Sequence, residues 1–523
     1  MKAQIDSSKP QHGAFSRRAK TAALATSILA GLFVSSGPAR AATLEYPSLA
    51  CPSSLQDCIN MADAGDRILI ASDDPIEEDI SFFKSLTISH KPNVRPVITG
   101  VGTKDATGKF IVGSDANGAP TKVTLDGISF RDIGVSFQAD SGTGHRFVIK
   151  NSSVEHSNIS GASGIHFGIG VPGVSVAAIN NRVKTTNFGI SLSTSGSSTG
   201  RVEALVTRNS VTASVPAQSY GGIDLSSGDG VNLRARVTNN VIHTTGGSGH
   251  DFAAGIKTYT SEFSSMDVKI LNNTIDNLQT AGAFHFQHSA GDTRFKATIY
   301  NNTVSRSEKA FSKLPDSTAN SSIRAGYNNY FNLEAGNSIA PFRLGPRNRS
   351  LNPRFVNPAP GSTNYRIKSS SLLRNKGNDC VPGGIERIDA ARRFRIDGSH
   401  VDIGAFERGA GAPGNRRIIT GSSSRDVLTG GSASDVICGL GGTDTLKGLA
   451  GSDRVYASAG NDVVRGGRGA DKLSGGTGRD DVYGEGGRDR VNTKDGVRGN
   501  DLAHGGSRND SCTTDRNDTR TSC

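Results

Sequence analysis

Asn239-Asn-Val-Ile242, Asn272-Asn-Thr-Ile275 and Asn301-Asn-Thr-Val304 are three copies of one phrase, and that phrase decides the fold. An Asn, usually one of a pair, stands a short gap ahead of an aliphatic or aromatic residue. The same words occur at Asn151-Ser-Ser-Val154, Asn180-Asn-Arg-Val183, Asn209-Ser-Val211 and Asn328-Asn-Tyr-Phe331. From Val154 onward the closing apolar residues advance by 29, 28, 31, 33, 29 and 27 positions. A second phrase, small then apolar, keeps a similar interval at Gly164-Ile165, Gly189-Ile190, Gly222-Ile223, Gly255-Ile256, Ala283-Phe284 and Ala310-Phe311. Each repeat therefore holds two or three short alternating apolar runs separated by Gly, Ser and Asn, a strand-and-turn rhythm without helical periodicity. A unit this small cannot bury its own apolar face, so copies must stack, Val over Val and Ile over Ile, into a solenoid. Asn suits the corners because it tolerates left-handed backbone and bonds the chain locally. Stacked amides can also bond one another up a column.

This pattern resembles the right-handed parallel β-helix proteins, the architecture of pectate lyases, other polysaccharide lyases and uronan epimerases, over roughly Leu55 to Glu407. The resemblance implies an all-β fold and leaves activity to be argued from a site. Upstream, Cys51-Pro-Ser-Ser-Leu-Gln-Asp-Cys-Ile-Asn-Met-Ala62 reads as a short amphipathic cap before strands at Ile68-Leu-Ile70 and Leu86-Thr-Ile88. Such a cap covers the strand edge and apolar core of the first coil. Downstream, Leu351-Asn-Pro-Arg-Phe355, Tyr365-Arg-Ile367 and Asp402-Ile-Gly-Ala-Phe-Glu407 resemble the C-terminal module of secreted bacterial β-helix proteins. The expectation is that this module closes the far end of the solenoid.

The tail keeps a finer period. Asp426, Asp435, Asp444, Asp453, Asp462, Asp471, Asp480 and Asp489 are nine residues apart, and each is followed two places later by an apolar residue, from Leu428 to Val491. The form Gly-Gly-x-Gly-x-Asp-x-apolar is complete at Gly466 to Leu473 and at Gly475 to Val482. It resembles the nonapeptide repeat of RTX, or haemolysin-type, calcium-binding proteins, a parallel β-roll. The resemblance implies Ca²⁺ as the bound ion, with Asp444, Asp453, Asp462, Asp471, Asp480 and Asp489 as carboxylate ligands. Gly466, Gly467, Gly469, Gly475, Gly476 and Gly478 would shape the carbonyl-bearing turns. Ca²⁺ takes six to eight such oxygens. Two nonapeptides make one turn in that family, so Asp453 with Asp471, or Asp462 with Asp480, would flank one ion. Asp426 lacks most of its glycines, the turn before Asp462 reads Ala457-Ser-Ala-Gly460, and the register breaks between Asp489 and Asp501. Arg454, Arg465, Arg479 and Arg488 leave a second possibility open, a roll in which arginines screen or replace ions.

The 523 residues, with 65 Gly, 18 Pro and no Trp, suit a repetitive turn-rich β protein of several domains. The expected division is a signal peptide at 1–41, a β-helix with its cap at 42–350, the closing module at 351–408, a linker at 409–420 and the nonapeptide domain at 421–523. Arg17, Arg18 and Lys20 precede the apolar run Ala22 to Val34 and the Ala39-Arg40-Ala41 cleavage site, a secretory pattern. The arginine pair leaves Sec and Tat export both open. The apolar run is shorter than a membrane span, and no later stretch is long and apolar enough. Six cysteines in an exported chain point to disulfides. Proximity pairs Cys51 with Cys58 and Cys512 with Cys523, leaving Cys380 for Cys438, although six cysteines allow 15 pairings. The net charge of +11 suits an anionic polymer, but the basic residues are scattered, without runs or aromatic interleaving, which argues against a nucleic-acid partner.

Alternation in the coil places Asp224, Lys257 and His285 in one outward-facing column, preceded by His166 and Ser191, with Ser226, Tyr259 and Gln287 beside it. Acidic-sugar lyases and epimerases of this fold remove the proton next to a uronate carboxylate. That needs a base such as Lys, His or Tyr and a cation to neutralise the carboxylate. Asp224, Lys257, Tyr259 and His285 are therefore the candidate catalytic residues; the bland alternative is an exposed Asp224–Lys257 salt bridge beside a solvated His. The expected partner is an extracellular polysaccharide or cell-surface glycan. Three functions remain open: a secreted calcium-binding β-helix protein that binds or processes acidic polysaccharide, a structural or adhesive surface protein, and a defined lyase or epimerase.

Overall fold

A computed structural model of the chain describes residues 41–523 apart from 102–107, 156–162, 187, 196–199, 215–220, 246–253, 277–281, 290–292, 314–320, 334–344, 346, 359–363, 396–397 and 409–415. Residues 1–40 of the expected signal peptide and most of the 409–420 linker lie outside the described residues. No helix among the described residues is long and apolar enough to cross a membrane.

The coarse repeat folds as a three-walled parallel β-helix. Among the described residues its first, second and third walls hold 11, 10 and 9 strands, all in parallel register. One coil runs Val231–Thr238 on the first wall, Val241–Thr245 on the second and Ile256–Thr260 on the third. Like lies on like. On the second wall Val183 pairs with Val211, then Ile242, Ile275 and Val304 follow in register. Ile165, Ile190, Ile223, Ile256 and Phe284 do the same on the third. These side chains are all buried within a single continuous core. At about 1.5–3 kcal/mol for each fully buried aliphatic side chain, the column holds neighbouring coils together.

The corner between the first and second walls divides two tasks between adjacent residues. The first position is left-handed, with φ of 54° at Asn151, 56° at Asn180, 58° at Asn239, 55° at Asn272 and 58° at Asn301. The second position forms a ladder inside the tube. Asn181, Asn209, Asn240, Asn273, Asn302 and Asn328 each pass an amide N–H to the Oδ1 of the next Asn, at 3.0–3.2 Å, ending on Asn348. The same Oδ1 accepts the backbone N–H of the preceding ladder residue at 2.9 Å. Each of these amides also donates to a carbonyl of the previous coil, as Asn240 does to Val206 at 2.9 Å. At two coils the ladder Asn is kept while Arg208 and Tyr327 take the left-handed site at 57° and 55°; at Asn151-Ser152 the left-handed Asn is kept and Ser152 gives its backbone N–H to Asn181 Oδ1 at 3.0 Å.

The first coil is capped by the helix Leu55–Met61, held by the Cys51–Cys58 disulfide. The Glu78 carboxylate accepts the backbone N–H groups of Leu55 and Gln56 at 2.9 Å, satisfying two orphan donors of the helix start.

The module expected to plug the far end instead lies along the side of the solenoid. It binds five coils of the solenoid: Arg392 to Asn151, Glu386 to Arg208 and Thr238, Ile388 to Asn239, Ala405 to Thr274, and Asn378 to Asn301. It is a strap across the corner and second wall. Arg395, only 1 % exposed, anchors it by donating to the carbonyls of Gly404 and Ala405 at 3.0 Å and to the Asn239 side chain. The physical reason is local. The second wall presents Val241 outward, and Tyr365, Ala405 and Phe406 cover it.

The fine repeat folds as two six-stranded parallel sheets face to face. Ile437, Leu446, Val455, Val464, Leu473, Val482 and Val491 form the thin core between them. The roll's first strand is Ile418–Thr420, ahead of the expected boundary at 421. The roll docks on the strap and on the first wall through Val436 and Cys438, which pack with Val381 and Val401 of the strap and Leu271 of the solenoid. The three disulfides are Cys51–Cys58, Cys380–Cys438 and Cys512–Cys523, so the middle one ties roll to strap.

The two corner positions predict opposite tolerances. Asn273→Ala strands buried donors of the ladder and is expected to cost about 2–4 kcal/mol in denaturant unfolding. Asn272→Gly keeps the left-handed backbone and is expected to cost less than about 1 kcal/mol.

Candidate functional site

Folding the nonapeptides stacks their aspartates in two columns, Asp426-444-462-480-501 and Asp435-453-471-489-510. In each column the backbone N–H of one Asp donates to the Oδ1 of the Asp in the next coil. The distances are 2.8, 2.7, 3.0 and 2.8 Å in the first column and 2.7, 2.7, 2.8 and 2.7 Å in the second. Asp453 and Asp471, and Asp462 and Asp480, are thus direct neighbours 18 residues apart. Past Asp489 the step becomes 21, and both columns continue through Asp501 and Asp510. The nine-residue ruler missed those two because three residues are inserted ahead of them.

The glycines have separable tasks. A Cβ on Gly466 would sit 2.5 Å from Asp471 Oδ2, and Gly475 stands in the same relation to Asp480, so this position leaves room for the carboxylate. Gly467, Gly469, Gly476 and Gly478 are left-handed, with φ of 105°, 135°, 118° and 120°. In the imperfect turns Leu440, Leu449, Ser458 and Glu485 take that conformation at φ of 71–85°, a strain of roughly 1–2 kcal/mol each.

The donor set fits Ca²⁺. Among the described residues the Oδ2 atoms of Asp444, Asp453, Asp462, Asp471, Asp480, Asp489, Asp501 and Asp510 are buried with no hydrogen-bond partner. Burial, and after it the neighbouring carboxylates, push Asp471 and Asp480 up to about 7. Asp453, Asp489 and Asp501 rise to about 6, again chiefly through burial. A column of buried, half-satisfied carboxylates calls for a hard cation. The first two aspartates are already served by protein: Asp426 accepts from Ser422, and Asp435 pairs with Arg417 at 3.3 Å. Arginine does not fill the other places. Arg465 turns to Glu485 at 2.9 Å and lies over the Tyr483 ring, and Arg417–Asp435 is the one ion pair to a repeat aspartate among the described residues.

On the third wall the expected column is present in register: Ser136, His166, Ser191, Asp224, Lys257 and His285. Ser226, Tyr259 and Gln287 form the parallel column beside it. The alternative of an exposed Asp224–Lys257 salt bridge beside a solvated His is corrected. Asp224 is 8 % exposed and His285 is 2 % exposed, although both point away from the tube. Burial lifts Asp224 to about 6 against the opposing pull of the Lys257 ammonium. Lys257 is half-buried, with its ammonium 6.0 Å from the Phe188 ring centre. Tyr259 hydrogen-bonds Ser289 at 3.0 Å, and His166 bonds Ser191 at 2.8 Å. His400, in the strap, pairs with Asp379 at 2.8 Å, far along the chain from this column.

Fold and site together define an extracellular parallel β-helix protein with a calcium-binding β-roll, its disulfides suited to an oxidising environment. The RTX calcium-binding nonapeptide repeat family matches residues 418–446, 439–473 and 465–497, so this part of the chain is an RTX repeat domain. No curated protein matches the chain. Among solved structures, a mutant of the PL6 family alginate lyase AlyGC is 11 % identical, covering 90 % of this chain and 75 % of its own, with a TM-score of 0.20. A second AlyGC structure is 12 % identical over 91 % and 75 %, with a TM-score of 0.18. Likeness this slight says nothing about activity.

The calcium-free roll has a defined pH response. An unfolded Asp titrates near 3.9, and Asp471 and Asp480 are lifted to about 7 in the fold. The folded state therefore holds protons the unfolded chain gives up. Its stability is greatest below about pH 4 for these groups and declines as pH rises towards 7. Hydrogen exchange on the full chain in chelator should show peptides from 439–491 less protected at pH 8 than at pH 5, after correction for intrinsic rates. Calcium at pH 8 should restore protection by about tenfold or more. Asp471→Asn should raise protection in chelator and weaken the calcium response; unchanged exchange in every condition would remove the ion from the roll.

Proposed function

We propose that this protein binds an extracellular acidic polysaccharide along its third wall and acts on it there as a lyase or epimerase. The supporting observation is the adjacency of Asp224, Lys257 and His285 on successive coils, two of them buried on the outer side of the wall. A purely structural Asp–Lys pair gains little, about 0–1 kcal/mol, and gives no reason to bury a carboxylate and an imidazole beside it.

The chemistry follows from the residue types. A hydrogen next to a uronate carboxylate becomes acidic only when that carboxylate is neutralised. Lys257 supplies the positive charge, and the Asp224 carboxylate on the preceding coil attracts that ammonium. His285 or Tyr259 takes the proton. In elimination the electron pair of the broken C–H bond forms a carbon–carbon double bond, the glycosidic C–O bond breaks, and the departing oxygen is protonated. In epimerisation a proton returns to the opposite face and the chain stays whole. Calcium, when bound, supplies folding energy to the roll.

Alginate, pectate and glycosaminoglycans should be offered to the full chain with calcium present, with ultraviolet absorbance reporting unsaturated uronate and NMR reporting inverted uronates. Lys257→Ala should lower the rate by roughly 10²–10³-fold with the β-sheet circular dichroism of the parent retained. Binding without product would reduce the function to a glycan-binding one. Neither binding nor product would leave an adhesive or structural role.

A further inference from the structure

The first wall carries a feature that the third-wall chemistry does not use. A groove of about 520 Å³ lies on its outer face, within the range of ligand-sized sites. It spans the coils from Arg146 to Lys269, five strands in register, or about 20 Å at the usual strand spacing.

Register explains its shape. One outward column reads Arg146, Ser175, Glu203, Arg234, Asp267 and the next reads Val148, Ala177, Leu205, Arg236, Lys269. Small residues at Ser175 and Ala177 hollow the floor, and Val148 and Leu205 make it aliphatic. The charge is unbalanced. Five cationic side chains, counting Arg201, face two carboxylates. Glu203 is taken by Arg201, and Asp267 lies 3.8 Å from Lys296 outside the groove. Burial and the neighbouring Arg236, Lys296 and Arg234 hold the Lys269 ammonium below its ordinary range, although Asp267 opposes them. Arg236 is fixed at the groove edge by donating to Gly383 and Gly384 of the strap, at 2.7 and 3.1 Å.

We propose that this groove is a second binding site, for a carboxylated polysaccharide lying along the solenoid axis, a proposal that rests on the acidic-polysaccharide function above. Guanidinium groups match carboxylates in bidentate geometry. The aliphatic floor suits the C–H faces of sugar rings, and Glu203 and Asp267 can accept from hydroxyls. A nucleic acid fits less well, because the lining has no aromatic side chain for base stacking and its two carboxylates oppose a continuous phosphate chain. A site here would hold the polymer on one wall while another segment reaches the third.

The test is titration calorimetry of the full-length, calcium-loaded protein with oligomannuronate, oligogalacturonate, a neutral glucan and a single-stranded DNA oligomer. The Arg146→Glu, Arg234→Glu double variant changes two exposed side chains and should keep the parent's thermal unfolding. Its uronate affinity should fall at least tenfold and lose most of its salt dependence, whereas Lys257→Ala should retain the groove binding while losing product formation. Parental affinity in the double variant would overturn the groove but not the third-wall function. DNA binding without uronate binding would also overturn it, and no uronate binding by the parent would sink both proposals.

Discussion

One hydrogen bond recurs along the whole molecule: the backbone N–H of a corner residue donates to the side-chain oxygen of its counterpart one coil on. In the solenoid Asn209 gives its N–H to Asn240 Oδ1 at 2.9 Å; in the roll Asp453 gives its N–H to Asp471 Oδ1 at 2.7 Å. The geometry is shared, and the chemistry differs by one group. An amide carries both donors and an acceptor, so a column of Asn satisfies itself. A carboxylate only accepts, so a column of Asp leaves one oxygen per coil without a partner and places like charges above one another. The same constraint thus produces a self-sufficient scaffold in one half and a cation-dependent one in the other.

The joint between the halves gives that dependence a reach beyond the roll. Val436 and Cys438 sit on the roll sheet that packs against the strap, and Cys438 is bonded to Cys380 within it. The strap binds five coils through residues such as Glu386 and Arg395, and it supplies the edge of the first-wall groove through Gly383 and Gly384. Ordering the roll by an ion therefore stabilises a surface that the solenoid shares. The third-wall column has a different support, the register of Ile223, Ile256 and Phe284 inside the tube, which sets Asp224, Lys257 and His285 one strand apart.

The sequence by itself determined what repeats, because stacked coils require like residues at a constant interval. The two periods named the solenoid and the roll, the Asn phrase marked the corner, and the six regular aspartates from Asp444 to Asp489 are among the eight whose second oxygen is left over. Alternation also placed Asp224, Lys257 and His285 in one outward column. Tertiary structure alone decided what does not repeat. The strap lies on the second wall because an apolar Val241 faces outward there, which no local pattern signals. Asp501 and Asp510 rejoin the columns only after an insertion has been absorbed in space. Asp224 and His285 are buried through contacts that alternation does not encode. The first-wall groove arises where the small Ser175 and Ala177 of one coil come to lie beside the larger Glu203 and Leu205 of the next, 28 positions on in the chain. Periodicity is written along the chain, whereas burial and electrostatics belong to neighbours in space, and those are chosen when the coils close.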